Sequence, residues 1–393
     1  MNHTHRAGRY ITQQAGPEGF AAFIPARLPP DPPVFLGLEL QELLESANRA
    51  LGRLDGVASL LPSPDLFLYT YIRKEAVLSS QIEGTQSSLS DLLLFENAEA
   101  PGIPVDDVSQ VSNYVAALEH GLSRLRGGFP LSLRLMREIH GVLLEGARGG
   151  DRAPGEFRRS QNWVGGSRPG NAVYVPPPVN ELMPALGNLE RFLQDDPART
   201  PTLLKAGLAH AQFETIHPFL DGNGRLGRLL ITFLLCAEGA LQQPLLYLSL
   251  YLKSNRSEYY DSLQRVRTTG DWEQWLRFFL TGVRDVAAQA AETSRRLLIL
   301  FDADRHRIQE KLGRGAGSAL RVHDTLMRKP VLSIPRASTD LGLSQPTVAA
   351  ALARLQELDI VRELTNRARN RQYSYVAYVA MLDEGMSDPT VGH

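Results

Sequence analysis

The sequence predicts a mainly α protein, a helical bundle with one small β-hairpin and a C-terminal winged helix-turn-helix. Three observations predict it. Apolar residues recur at three- and four-residue spacing over most of the chain, which gathers them on single faces of helices. One interruption, at residues 162–178, sets two short apolar runs on either side of a glycine-rich turn. Beyond about Ser318 the helices shorten and a basic turn follows them. At 393 residues, 43% hydrophobic and 22% charged, the chain can hold two or three domains with sizeable cores, and global disorder is excluded.

Taken in order, residues 1–17 are polar, with several His and Arg and no apolar h-region, so they read as a flexible tail rather than a secretion signal. Residues 18–100 form an N-terminal helical region. Its lead-in holds Pro25, Pro29, Pro30, Pro32 and Pro33, which favour an extended path. A first helix then places Leu40, Leu43, Leu44, Ala47, Leu51 and Leu54 on one face and ends at Gly56. A second runs over 65–83 and a short one over 89–95, before a linker at 98–105 with Pro101, Gly102 and Pro104. Residues 101–300 form a second helical domain, from which the 162–178 hairpin projects. Residues 318–383 form the C-terminal module and 384–393 a second flexible tail.

The charges nearly cancel, 42 Lys and Arg against 43 Asp and Glu, so any polyanion-binding surface must be regional. The single cysteine, Cys236, permits neither an internal disulfide nor a thiolate metal cluster and fits a reducing cytoplasm. The longest apolar stretch, 229–237, is about half the length a bilayer crossing needs, so no membrane association is expected.

The chemistry concentrates in Phe213-Glu214-Thr215-Ile216-His217-Pro218-Phe219-Leu220-Asp221-Gly222-Asn223-Gly224-Arg225-Leu226-Gly227-Arg228. Pro218 stops one apolar helix, and Leu226, Leu229, Leu230, Phe233 and Leu234 start another, so the polar residues lie in the joining loop and the first turn after it. Gly222, Asn223 and Gly224 can offer backbone N–H groups at a helix N-terminus, with no side chain on the glycines to obstruct phosphate oxygens. Arg225 and Arg228, three apart, point two cationic forks toward the same guest, which suits a di- or triphosphate. Asp221 is a hard oxygen ligand suited to a magnesium ion on those phosphates. His217 is a titrating group able to take a proton from an attacking hydroxyl.

These residues closely resemble the signature of the Fic family, His-x-Phe-x-(Asp/Glu)-Gly-Asn-Gly-Arg-x-x-Arg, at every fixed position. The resemblance implies a Fic-fold helical bundle and a protein adenylyltransferase that moves AMP from ATP to a Tyr, Thr or Ser hydroxyl of a target protein and of itself. His217 would be the general base, Asp221 the ligand of Mg2+ or Mn2+, and Gly222, Asn223 and Gly224 the anion hole. Arg225 and Arg228 would hold the β- and γ-phosphates, with Leu226 and Gly227 completing the nucleotide-binding segment.

Upstream, Ser79-Ser80-Gln81-Ile82-Glu83-Gly84 resembles the family's inhibitory motif, (Ser/Thr)-x-x-x-Glu-(Gly/Asn), through Ser79, Glu83 and Gly84. That likeness implies Glu83 pairing with Arg228, which occupies the fork the γ-phosphate needs. The 162–178 hairpin resembles the family's flap, which holds a target segment by strand addition. Tyr251, Asn255, Tyr259 and Tyr260 form a polar-aromatic cluster, and Tyr260 is the candidate face for adenine.

In the C-terminal module Gly342 turns between two short helices, Ser344 is placed as N-cap of the second, and Arg367, Arg369 and Arg371 form a basic turn. Nine basic residues face five acidic ones between 318 and 375, which favours duplex DNA, reached by Gln345, Thr347 and the wing arginines. Within the family resemblance the alternatives are transfer of phosphate, another nucleotide or phosphocholine, and AMP removal with Glu83 orienting water. From a different class, the chain would be a DNA-binding regulator whose Fic core senses nucleotide. The resemblance also implies a homodimer.

Overall fold

The computed structural model describes residues 4–15, 18–59, 65–97, 105–146, 153–365 and 371–386. The elements run α1 (Thr4–Ala7), β1 (Gly8–Ala15), β2 (Glu18–Pro25), α2 (Leu38–Ser59), α3 (Asp65–Ile82), α4 (Leu89–Asn97), α5 (Val105–Arg126) and α6 (Leu133–Leu143). They continue with α7 (Val179–Leu193), α8 (Thr202–Ile216), α9 (Asn223–Ala237), α10 (Ser249–Ser254), α11 (Arg256–Thr269) and α12 (Trp272–Leu312). The last are α13 (Ala316–Arg328), β3 (Val331–Ser333), α14 (Ile334–Leu341), α15 (Gln345–Glu357), β4 (Val361–Glu363), β5 (Gln372–Tyr375) and α16 (Val376–Asp383). The chain is mainly helical, as its periodicity predicts, but it folds as two discontinuous units rather than consecutive domains. One comprises Met1–Gly52, Ser112–Gln242 and Tyr251–Val286; the other comprises Arg53–Val111, Gln243–Leu250 and Ala287–His393.

The first unit is organised on α8, which is buried from Leu203 through Ile216 and packs on α7, α9, α11 and β2. A helix enclosed on all sides must satisfy its own polar groups. Lys205 meets Asp195 at 2.9 Å and Glu238 at 2.6 Å. Gln212 donates to the Ala26 carbonyl at 2.7 Å, and Thr215 to the Ala211 carbonyl at 2.7 Å.

Two expectations are corrected in this unit. Residues 4–15 are not a flexible tail: β1 pairs antiparallel with β2 along its whole length, Gly8 opposite Pro25 and Ala15 opposite Glu18. The apolar side chains that stabilise the pair stand on β2, where Phe20, Ala22 and Phe23 are buried, so β1 looks polar in isolation. Arg6 is buried against Glu273, with Nη1 at 2.8 Å and Nη2 at 2.7 Å from its carboxylate. The hairpin at 162–178 is reduced to one antiparallel bridge, Val164 to Tyr174, closed by a 3-10 turn at Pro169–Asn171. β2 extends it by donating the Phe23 N–H to the Val175 carbonyl at 2.9 Å.

The second unit is organised on α3, buried continuously from Thr70 to Ser80. Three of its polar residues are individually matched. The Thr70 and Tyr378 hydroxyls are 3.0 Å apart, Lys74 Nζ donates to the Leu382 carbonyl at 2.7 Å, and Arg73 pairs with Glu96 at 2.7 Å. At the C-terminus, β3, β5 and β4 form a three-stranded antiparallel sheet in that order, and α13 and α14 pack on α15. Gly342 ends α14 in a left-handed turn, and the Ser344 side chain caps α15 through the Thr347 N–H.

The helix expected to end at Gly56 continues to Ser59, since one glycine costs about 1 kcal/mol in a helix interior and tertiary packing overrides that. Glu384 is not part of a loose tail: its carboxylate pairs with Arg296 at 2.6 and 2.8 Å. The linker prolines Pro101 and Pro104, the wing residues Arg367 and Arg369, and residues 387–393 lie outside the described residues.

Candidate active site

The signature loop joins α8 to α9 in the first unit. α8 ends at His217, whose backbone is left-handed (φ 48°, ψ 62°) and whose N–H donates to the Phe213 carbonyl at 2.9 Å. For an L-residue with a Cβ this conformation costs about 1–2 kcal/mol, so it must be held from outside. Two side chains hold it. Arg158 Nε and Asn162 Nδ2 donate to the His217 carbonyl at 3.0 and 3.1 Å. The Arg158 backbone N–H donates to the Pro218 carbonyl at 2.9 Å, and Asn162 Nδ2 reaches the Phe219 carbonyl at 2.9 Å.

The other side of the loop is braced by its own asparagine. Asn223 is buried; its Nδ2 donates to the Phe219 carbonyl at 2.8 Å and its Oδ1 accepts from the Phe219 N–H at 2.9 Å. Gly222 caps α9 at φ 73°, a backbone conformation that favours glycine. Its N–H, expected from the sequence to face a phosphate, donates here to Asp221 Oδ1 at 2.7 Å. The Asp221 carbonyl is 3.0 Å from His140 Nε2, while His140 Nδ1 accepts from the Gly155 N–H at 2.9 Å. That pairing puts the imidazole proton on Nε2, which donates to Asp221. The His140 ring stacks on Phe219 at 3.8 Å, and burial pushes its pKa down to about 4, so it stays neutral.

Arg225 and Arg228 stand on the first turn of α9, 5% and 2% exposed. The Arg225 Nη2 lies 3.8 Å from Asp221 Oδ1. Two guanidiniums on the first turn of a helix are groups suited to an anion at its N-terminus. Behind them, Leu226 and Gly227 take part in packing. Leu226 is buried, and a Cβ on Gly227 would stand 2.4 Å from Glu214 Oε1, so glycine lets the buried Glu214 lie against α9. The Gly227 carbonyl is 2.8 Å from His210 Nδ1, and His210 Nε2 is 2.8 Å from the Tyr259 hydroxyl. Burial, with the charge of Arg228 adding to it, pushes the His210 pKa down to about 4.

Of the aromatic cluster, Tyr259 is buried on His210, and Tyr260 is 41% exposed with its ring 5.0 Å from that of Tyr259. Ser79, Glu83 and Gly84 belong to the second unit. Ser79 is buried in the last turns of α3; Glu83 is exposed in the turn after it, where its N–H donates to the Ser80 carbonyl at 3.0 Å and Gly84 adopts φ 103°. Arg158, Asn162, His140 and His210 escape the sequence reading, because each acts on backbone or side chains far away in the chain.

Among the described residues no three His, Cys, Asp or Glu side chains are grouped to hold a metal. Asp221, with a side chain 35% exposed, offers a single hard carboxylate. That donor set does not make a resident site, but it fits a magnesium ion whose other ligands are phosphate oxygens and water.

The fold and the loop together define a helical protein with a basic, glycine-rich turn between two buried helices. Residues 41–123 match the Fic/DOC family N-terminal description and residues 130–235 the Fic/DOC family description. It is 33% identical over 205 residues to the protein adenylyltransferase Fic of Aedes aegypti, and 30% identical over 203 residues to that of Drosophila melanogaster. Each match takes in 50% of this chain and 37% of the relative, so the chain spans little more than a third of those proteins. The fold is similar to a Fic family protein from Desulfovibrio desulfuricans G20, with a TM-score of 0.58, 18% identity, and coverage of 87% of this chain and 97% of that one. It is also similar to a Fic domain containing signaling protein from Bacteroides thetaiotaomicron, with a TM-score of 0.52, 19% identity, and coverage of 64% and 97%.

Proposed function

We propose that the chain is a protein adenylyltransferase that transfers AMP from ATP to a Tyr, Thr or Ser hydroxyl of a target protein and of itself. The observation that carries this reading is the loop itself, with His217 fixed at the end of α8 and Arg225 and Arg228 on the first turn of α9. In the reaction the target hydroxyl oxygen bonds to the α-phosphorus while the bond from that phosphorus to the bridging oxygen of the β-phosphate breaks. His217 accepts the hydroxyl proton, and pyrophosphate leaves with its charge held by Arg225 and Arg228. The work is positioning and charge stabilisation. Asp221 would hold magnesium on the nucleotide, and the ion when bound offsets phosphate charge. The Gly222–Gly224 amides would receive the phosphates, Gly222 exchanging its Asp221 acceptor for the ligand, and Tyr260 would lie against adenine.

In this account Glu83 pairs with Arg228 and restrains transfer, because a carboxylate in that fork displaces the γ-phosphate. The C-terminal module is proposed as a winged helix that binds duplex DNA, supported by the paired α14 and α15 on a small antiparallel sheet with Gln345 exposed at the start of α15. A homodimer in the cytoplasm completes the reading. No helix among the described residues is long and apolar enough to cross a membrane.

Self-labelling with ATP carrying the label at the α- or the γ-phosphate tests the reaction. Label retained from the α-position alone is expected; label retained from the γ-position would replace AMP transfer by phosphate transfer, and retention of neither would remove the transferase reading.

A further inference from the structure

Arg158 is a buried cation bonded to main-chain carbonyls. It is 3% exposed, and its guanidinium donates to three carbonyls: Nε to His217 at 3.0 Å, Nη1 to Ser160 at 3.3 Å and Nη2 to Pro177. Its own N–H donates to the Pro218 carbonyl at 2.9 Å. Ser160 and Pro177 stand at the two feet of the Val164–Tyr174 bridge, and His217 and Pro218 begin the signature loop. Burial lowers the Arg158 pKa to about 10, still well above neutrality, so the charge persists.

A desolvated cation requires strong acceptors, and carbonyls of a loop supply them only if that loop is fixed in one conformation. The requirement runs both ways. The left-handed backbone of His217 is a strained conformation, and the direction of its imidazole depends on the orientation of the 217–218 peptide plane. Arg158 and Asn162 both fix that plane through the His217 carbonyl, while Gln161 Nε2 ties the same segment to the Pro176 carbonyl at 3.0 Å. Lysine can reach one of these carbonyls, but it lacks the planar fork that spans three.

We infer that Arg158 is a positioning residue that couples the flap to the general base, so that the segment over the site and the His217 imidazole are set by one guanidinium. This rests on the transferase reading above and adds to it a residue outside the signature. Because Arg158 bonds to the Ser160, Pro177, His217 and Pro218 carbonyls, nucleotide binding and proton transfer should separate when it is changed.

The test uses the full chain carrying Glu83→Gly, with and without Arg158→Lys, in self-labelling with ATP and magnesium, together with NMR of the His217 imidazole. The expected result is a fall in kcat of about 10- to 100-fold with KM for ATP changed less than about threefold, and a shifted His217 signal. Unchanged kcat with an unmoved His217 signal would overturn the inference, as would kcat and ATP binding falling in parallel. Should Arg158→Lys fail to fold, Asn162→Ala removes one of the two side-chain donors to the same carbonyl and is read by the same measurements. If the Glu83→Gly protein itself shows no transfer, the reaction reading fails, and the His217 signal alone still decides whether Arg158 positions the imidazole.

Discussion

Buried histidines surround the candidate site, and each is held neutral by its surroundings. His140 under the Asp221 carbonyl and His210 between α8 and α9 have pKa values pushed down to about 4 by burial, from an ordinary 6.5. In the second unit His323, buried beside Tyr375, is likewise lowered to about 4. Between pH 6.5 and 4 the unfolded chain binds protons at these positions and the folded chain does not. Their contribution to stability is therefore complete above about pH 6.5 and is lost as pH falls toward 4, on the order of 3 kcal/mol per site. Thermal melts should show a Tm that is level above pH 6.5 and declines between 6.5 and 5, before the carboxylates titrate. His210→Gln should flatten part of that slope; a melting curve insensitive to pH through this window would contradict the neutral assignment.

At the scale of elements, α8, its loop and α9 were legible in the sequence because everything that shapes them lies within some thirty residues. Pro218 stops one helix, Gly222 provides the left-handed cap, and Arg225 and Arg228 fall on one turn by spacing alone. The braces of that loop were not legible. Arg158, Asn162 and His140 act on carbonyls 55 to 81 positions away, and a donor to a distant carbonyl leaves no local pattern. The same reason hid β1, whose apolar support is on β2 and whose neighbour Arg6 is neutralised by Glu273. The C-terminal elements were legible from the Gly342 turn and the Ser344 cap. For the DNA partner proposed for them, the full chain should retard duplex DNA in a salt-dependent way. Replacing Arg367, Arg369 and Arg371 should weaken binding and lower the slope of log K against log salt by about 3. Unaltered binding would count against the wing as the contact surface.

For the whole molecule, near-neutral net charge conceals an uneven distribution. The first unit holds the cationic turn of α9, and the second holds both the Ser79–Gly84 segment and the C-terminal module. The sequence suggested consecutive domains because composition changes along the chain, but each unit gathers segments far apart in the chain, which no local pattern reports. The proposed restraint, Glu83 against Arg228, thus concerns residues of different units. Hydrogen bonds to charged groups contribute about 1.5–3 kcal/mol, so removing the carboxylate should raise transfer tenfold or more. Intact-mass measurement of the wild-type, Glu83→Gly and His217→Ala proteins after incubation with ATP and magnesium tests the account most directly. It predicts a mass gain of one AMP moiety, small in the wild type, about tenfold or more greater in Glu83→Gly, and absent in His217→Ala. No AMP adduct in Glu83→Gly, or an equal adduct in His217→Ala, would contradict it.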